Sequence, residues 1–226
     1  MIATAPAAIR TARDADYGWT WSRFWGDKEA LRYAKRELVN VEGVLAHVPG
    51  RTRVIQAGGS LGIFPKFLAQ QFAQVVTFEP DPRNFIALTM NAPEVNIVRV
   101  QAALGETRGY VGLSRQRRDG KPNSHDGVVH VSGSGTVPLM RLDDYPCDVC
   151  DLIYLDIEGF ELYALRGATQ LIERCRPAIA IEVNKNLEHV NATEADLDQF
   201  MQDHRYVRIA AFGSDRLYLP REGPCS

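Results

Sequence analysis

The chain has 226 residues, 45% of them hydrophobic, with a formal charge of −2 and four cysteines. That length and apolar content fit one α/β domain with a modest extension, while the charge excludes a global attraction to nucleic acid or anionic membranes. No apolar run reaches the about 18 residues needed to span a bilayer, and four cysteines over this length are not a disulfide scaffold.

A cytoplasmic protein is therefore expected, since residues 1–20 also lack a basic start followed by an apolar segment. The first 25 residues crowd Tyr17, Trp19, Trp21, Phe24 and Trp25 together; these rings either pack on the main domain or form a lid over a ligand cleft. From Asp27 to about His47, Leu31, Ala34, Leu38, Val41 and Leu45 recur at helical spacing beside charged residues. The pattern gives an N-terminal segment and helix over 1–49, a main domain over 50–220 and a loose tail over 221–226.

The main domain opens on Arg53 to Gly62, an apolar run that breaks into Gly58, Gly59 and Gly62 before a helical pattern resumes at Ile63. Strand, tight loop and helix start follow, with the loop expected to offer free backbone N–H groups and close access to the main chain. Pro65 falls in the first turn of that helix, where its missing N–H costs little, and the helix runs to about Phe72. A second apolar run, Val75 to Phe78, ends in Glu79, and an acidic residue about 20 positions after a glycine loop is where a nucleotide ribose is usually held. A helix from about Arg83 to Asn91 and a strand over Asn96 to Val100 complete a succession that points to a parallel sheet with right-handed crossovers.

Between Gly105 and Pro138 the pattern changes to short strands, Tyr110–Leu113, Val128–Val131 and Thr136–Leu139, separated by polar loops: a β insertion. Its loop Ser114 to Lys121 concentrates positive charge, as either a solvated face or a grip on an acidic substrate. A strand from Asp151 then ends in Asp156, Glu158 and Gly159, followed by helical spacing of Leu162, Leu165, Ala168, Leu171 and Ile172. Pro177 to Asn184 is a further strand delivering Glu182 and Asn184; a helix over Asp196 to Asp203 and strands over Tyr206–Phe212 and Arg216–Leu219 close the chain. Ligands in open α/β sheets sit beyond the carboxyl ends of the strands, so Gly58, Glu79, Asp156, Glu158 and Glu182 are expected around one cleft. A nucleoside-containing cofactor fits it, and the loop lacks the G-x-G-x-x-G spacing of dinucleotide dehydrogenases.

In this order, Gln56-Ala57-Gly58-Gly59-Ser60-Leu61-Gly62, Phe78-Glu79-Pro80, Ala103-Leu104-Gly105, Leu142-Asp143, Asp151 to Glu161 with Leu165-Arg166-Gly167-Ala168, and Ile181-Glu182 resemble the FkbM-type family of S-adenosylmethionine-dependent methyltransferases over roughly residues 50 to 185. The resemblance implies a Rossmann-like, doubly wound, mostly parallel seven-stranded sheet with a final antiparallel strand. It implies S-adenosylmethionine as cofactor, contacted by Gln56, Gly58, Gly59, Ser60, Gly62, Glu79 and Pro80, with Ala102 and Ala103 near the adenine. The chain departs from the family at two positions: Gln56 stands where an Asp is usual and Tyr154 where a Lys is usual. Gln56 brings hydrogen bonds but no charge for the cofactor's ammonium, a charge that Asp156 can supply instead.

Methyl transfer from a sulfonium is an in-line displacement accelerated chiefly by positioning. A hydroxyl acceptor also needs a base, for which Asp156, Glu158, Glu182, His125 and His189 are the candidates, Asp156 first; Glu161 is read as a helix-start carboxylate. No metal ligand is assigned, although Asp156, Glu182 and Asn184 match the oxygen ligands of Mg²⁺. Cys147-x-x-Cys150 is one isolated pair that precedes a strand rather than opening a helix, and is read as incidental. The family implies O-methylation of a hydroxyl on a sugar or other polar small molecule; N-methylation, or a cofactor-binding module without catalysis, are the alternatives.

Overall fold

The computed structural model describes residues 37–114, 130–184, 187 and 192–221. The aromatic run Tyr17 to Trp25, the start of the helix expected from Asp27, the basic residues after Ser114, and His125 and His189 lie outside the described residues. Residues 37–45 (α1) are helical and bury Leu38, Val41, Val44 and Leu45, one apolar stripe laid on the sheet.

Four apolar runs form the centre: Arg53–Ala57 (β1), Gln74–Phe78 (β2), Leu152–Leu155 (β7) and Ala178–Glu182 (β8). Nearly every residue in them is buried, as expected of parallel strands covered by helices on both faces. With Ile97–Val100 (β3), Tyr206–Phe212 (β9) and Asp215–Pro220 (β10) they make a seven-stranded sheet in the order β3-β2-β1-β7-β8-β10-β9. The pairs β1–β2, β2–β3, β1–β7 and β7–β8 are parallel, whereas β10 runs antiparallel to β8 and β9. The expected Rossmann-like α/β fold with a closing antiparallel strand is what forms.

Alternate side chains feed two cores. Ile55, Val76, Phe78, Ile153 and Ile179 pack on one face with Leu162 to Ile172 and Met201; Val54, Val75, Leu152, Tyr154 and Ala180 pack on the other with α1, Phe67 and Leu88. The covering helices are Ile63–Ala69 (α2), Pro82–Asn91 (α3), Glu161–Arg166 (α4), Thr169–Cys175 (α5) and Glu194–Asp203 (α6). Asp81 starts α3 by accepting from the N–H groups of Arg83 and Asn84, with Pro82 at the first position. Thr193 and Asp196 form a capping box at α6.

Two expectations are corrected. The helix expected through Leu162 to Ile172 is two helices, because Gly167 passes so close to the insertion that a Cβ there would lie 2.0 Å from the Gly105 carbonyl oxygen. In the insertion, the strands expected around Val128–Val131 and Thr136–Leu139 are one long strand, His130–Met140 (β6). It pairs antiparallel with Gly109–Ser114 (β5) and parallel with Ala103–Leu104 (β4), and a register shift between Val111 and Gly112 absorbs its extra length.

Candidate functional site

Strand order reverses at β1, which has β2 on one side and β7 on the other. Beyond the carboxyl ends of these strands lie Gly58, Glu79 and Asp156, so topology alone gathers them at the switch point where open sheets bind ligands.

The glycine loop holds four of its amides within the protein. Gly58 and Gly59 both donate their N–H to Phe78 O at 3.0 Å, Gly62 donates to Gly59 O at 2.8 Å, and Ser60 donates to Glu79 Oε2 at 2.7 Å. These amides are engaged within the protein, not free. Gly58 is required for packing: at φ +89, a Cβ would fall 1.8 Å from Asp156 O. The loop is thereby clamped between the ends of β2 and β7.

Glu79 is the centre of that clamp. Its Oε1 accepts from Asp81 N at 2.8 Å and its Oε2 from Ser60 N, yet burial outweighs these amides and pushes the carboxyl up to about 7. Pro80 is partly buried, and Ala102 and Ala103 are buried at the end of β3 and in β4.

Gln56 and Tyr154, the two departures from the family pattern, are register partners on neighbouring strands. Gln56 is fully buried; its Oε1 accepts from Thr77 Oγ1 at 2.5 Å and its Nε2 donates to Ala57 O at 3.0 Å. Tyr154 donates its hydroxyl to Asp215 Oδ2 at 2.5 Å. Both side chains are thus satisfied within the protein. Phe64 of α2 packs beside the Tyr154 ring, 6.1 Å between centroids.

Across β1, Asp156, Glu158 and Glu182 do come together, joined by Asn184, Ser214 and Asp215. Asn184 donates to Glu182 Oε2 at 2.7 Å and Glu158 Oε2 at 3.4 Å, and Ser214 donates to Glu182 Oε1 at 3.2 Å. Burial, reinforced by the charges of Glu182 and Glu158, pushes Asp156 well above the usual carboxylate range. Glu158 and Gly159 adopt φ +56 and +103, a tight turn whose Ile157 and Gly159 amides donate to Glu161 Oε1 at 2.9 and 3.2 Å. Glu161 therefore begins α4 and also clamps the turn; burial raises it to about 7. Among the described residues no group of three or more His, Cys, Asp and Glu is placed to hold a metal ion.

Asp215 and Ser214 were not legible as site residues. Asp215 opens the return strand β10 and Ser214 ends the turn before it, and only that strand's register, Asp215 opposite Glu182, brings them to the cleft. Burial raises Asp215 to about 6, against the Tyr154 hydrogen bond that lowers it. Tyr154→Phe should therefore destabilise the fold by about 1–3 kcal/mol, more at pH 8, where Asp215 is ionised, than at pH 5. Urea melts at the two pH values measure this; an equal loss at both would show that the hydrogen bond does not favour the charged form.

A sheet of this order with its acidic tips at the switch point defines the Rossmann-like methyltransferase class. The Methyltransferase FkbM domain matches residues 64–208, and the chain belongs to that family. Among solved structures of the same fold are the magnesium protoporphyrin IX methyltransferase ChlM of Synechocystis with bound SAM (15% identity, 91% of this chain and 88% of that one, TM-score 0.50) and the N-methyltransferase NodS of Bradyrhizobium japonicum (10%, 86% and 99%, TM-score 0.51). The methyltransferase FkbM of Methylobacillus flagellatus is 19% identical with a TM-score of 0.48; 86% of this chain spans 56% of that one, little more than half its length. A search of curated proteins gives no match.

Proposed function

We propose that this protein is an S-adenosylmethionine-dependent O-methyltransferase acting on a hydroxyl of a sugar or another polar small molecule. The observation that carries the reading is the pair of carboxylate sites flanking β1: Glu79, with each oxygen already held by a backbone N–H, and Asp156 within its cluster of acids. The donor set fits the cofactor. Glu79 keeps acceptor capacity for ribose hydroxyls beyond the two backbone amides and the Asn84 side-chain amide it accepts, and the acids across β1 suit a ligand bearing a sulfonium and an ammonium. Ser60 fixes the Glu79 carboxylate, Pro80 follows it, and Ala102 and Ala103 give an apolar wall for the adenine. Gln56 we assign to the sheet rather than to the ligand, since its amide is engaged at both ends.

Bound S-adenosylmethionine supplies an electrophilic methyl group. Asp156 accepts the acceptor hydroxyl's proton as attack proceeds, and its raised proton affinity makes its ionised form a stronger base than an exposed carboxylate. Glu182, fixed by Asn184 and Ser214, and Glu158 lie beside Asp156 and keep its proton affinity high. N-methylation is the second reading, because the same acids attract a cationic amine. A catalytically silent binding module is the third.

S-adenosylhomocysteine should stabilise the fold by about 2.7 kcal/mol at a hundredfold excess over Kd; no melting shift at saturating ligand overturns every cofactor reading. Asp156→Asn should lower kcat for the O-methylated acceptor by about 10²–10⁴ with a much smaller loss of S-adenosylhomocysteine affinity. Loss of binding instead would make Asp156 a cofactor contact, and unchanged kcat would remove it as base. Turnover of amines alone would establish the second reading, and ligand binding without turnover of any acceptor the third.

A further inference from the structure

The sheet end opposite the cleft holds the described cysteines, which the proposed methyl transfer does not use. Parallel pairing dictates the gathering: β7 and β8 enter the sheet side by side, Leu152 opposite Ala178, and β1 enters beside β7, Val54 opposite Leu152. The segments immediately before these strands therefore meet, bringing together Cys147 and Cys150 before β7, Cys175 at the end of α5 and Arg53 at the start of β1.

Cys147 and Cys150 lie close enough for each to shift the other's proton affinity. Arg53 donates from Nη1 to Cys147 Sγ at 3.3 Å and is itself fixed by donating from Nε to Gln74 Oε1 at 2.6 Å. In its thiol form Cys147 donates to Val149 O at 3.2 Å, and Cys150 donates to Leu152 O at 3.3 Å. Both side chains are 3% exposed, but Val149 between them is 47% exposed and Asp148 is exposed too, so only a thin surface loop separates the sulfurs from solvent. Cys175 Sγ donates toward backbone oxygens, Asp148 O at 3.5 Å and Cys147 O at 3.9 Å.

We propose that Cys147 and Cys150 are an oxidisable dithiol that closes to an intramolecular disulfide on exposure to hydrogen peroxide, with Cys147 the attacking sulfur. The Cys147 thiolate attacks one peroxide oxygen: an S–O bond forms, the O–O bond breaks, and the departing hydroxide takes a proton to become water. Cys150 then gives up its proton and attacks the Cys147 sulfenic sulfur; the S–S bond forms, the S–O bond breaks, and a second water leaves. Two thiols are oxidised by two electrons, and one peroxide is reduced to two waters.

The division of roles follows the surroundings. The neighbouring Cys150, and then the Arg53 guanidinium 3.3 Å from its sulfur, hold Cys147 below the usual thiol range, while the neighbouring Cys147 and burial push Cys150 above it. One sulfur is thus the nucleophile and its neighbour the resolving thiol, a polarity that the C-x-x-C spacing alone does not reveal.

The test is peroxide treatment of the full chain, denaturation, alkylation and peptide mass mapping. The wild-type protein should lose two of its four alkylatable cysteines, the peptide containing Cys147 and Cys150 should be lighter by two hydrogens, and dithiothreitol should restore both thiols. Cys150→Ser should leave a sulfenic acid on Cys147 that dimedone traps, and Cys147→Ser should leave Cys150 alkylatable. A disulfide from Cys147 to Cys175, oxidation confined to Cys175 or Cys225, or four unreacted thiols in the wild-type protein would each overturn the proposal; the wild-type readout does not depend on either variant folding.

Discussion

Gly58→Ala should lower the unfolding free energy by about 2–5 kcal/mol and remove measurable S-adenosylhomocysteine binding. Two effects add. The residue sits at φ +89, where an L side chain costs about 1–2 kcal/mol. The new methyl group would also stand 1.8 Å from Asp156 O, a backbone atom that no rotamer change can move. Overpacking of this kind costs about 1–3 kcal/mol where the structure can yield, and yielding here means separating the end of β1 from the end of β7. That separation pulls Asp156 away from the loop and breaks the Phe78 carbonyl's grip on Gly58 and Gly59, so binding goes with it. Urea denaturation and ligand titration read the two effects; a variant within about 1 kcal/mol of wild type would mean that the loop is not the clamp its geometry describes.

The same contact marks where sequence reading succeeded and where it stopped. The strand–glycine–helix succession and the acidic tip at Glu79 were legible because burial on both faces writes unbroken apolar runs, and because strand ends are punctuated by residues that cannot continue them. Their meeting at one switch point followed from parallel topology. What the glycines do was not legible: a missing Cβ reads as room for a ligand, whereas Gly58 makes room for the carbonyl of Asp156, nearly 100 residues away in the chain. Tyr154 and Gln56 looked like two unrelated departures until pairing made them neighbours. Asp215 entered the cleft only through the register of an antiparallel strand, and register depends on partners that no local window contains. The polarity of the Cys147–Cys150 pair was hidden in the same way, since Arg53 comes from another strand.

Glu79→Gln should weaken S-adenosylhomocysteine by about ten- to a hundredfold and abolish the pH dependence of its binding. The wild-type carboxyl, pushed up to about 7 by burial, is largely protonated at pH 6. Ribose hydroxyls donate more strongly to a charged acceptor, so binding requires the proton to leave; affinity should rise up to about tenfold per pH unit toward pH 7 and level off above it. Glutamine cannot ionise. Its NH₂ group must also replace one acceptor now serving Ser60 N or Asp81 N, leaving a backbone N–H unpaired at about 1–3 kcal/mol. Stability responds to pH with the opposite sign. The folded pKa lies above the unfolded value of 4.5, so this carboxyl's contribution is fully present below 4.5 and is lost as pH rises through 7, about 3 kcal/mol in all. Glu161 shifts in the same direction, so the variant should flatten the fall in stability without removing it. Rising pH should thus loosen the free protein while tightening its grip on the ligand, and the ligand-induced melting shift should grow between pH 6 and 8. Calorimetric titration of the wild type over that range decides the matter: a Kd constant from pH 6 to 8 would separate Glu79 from the ribose.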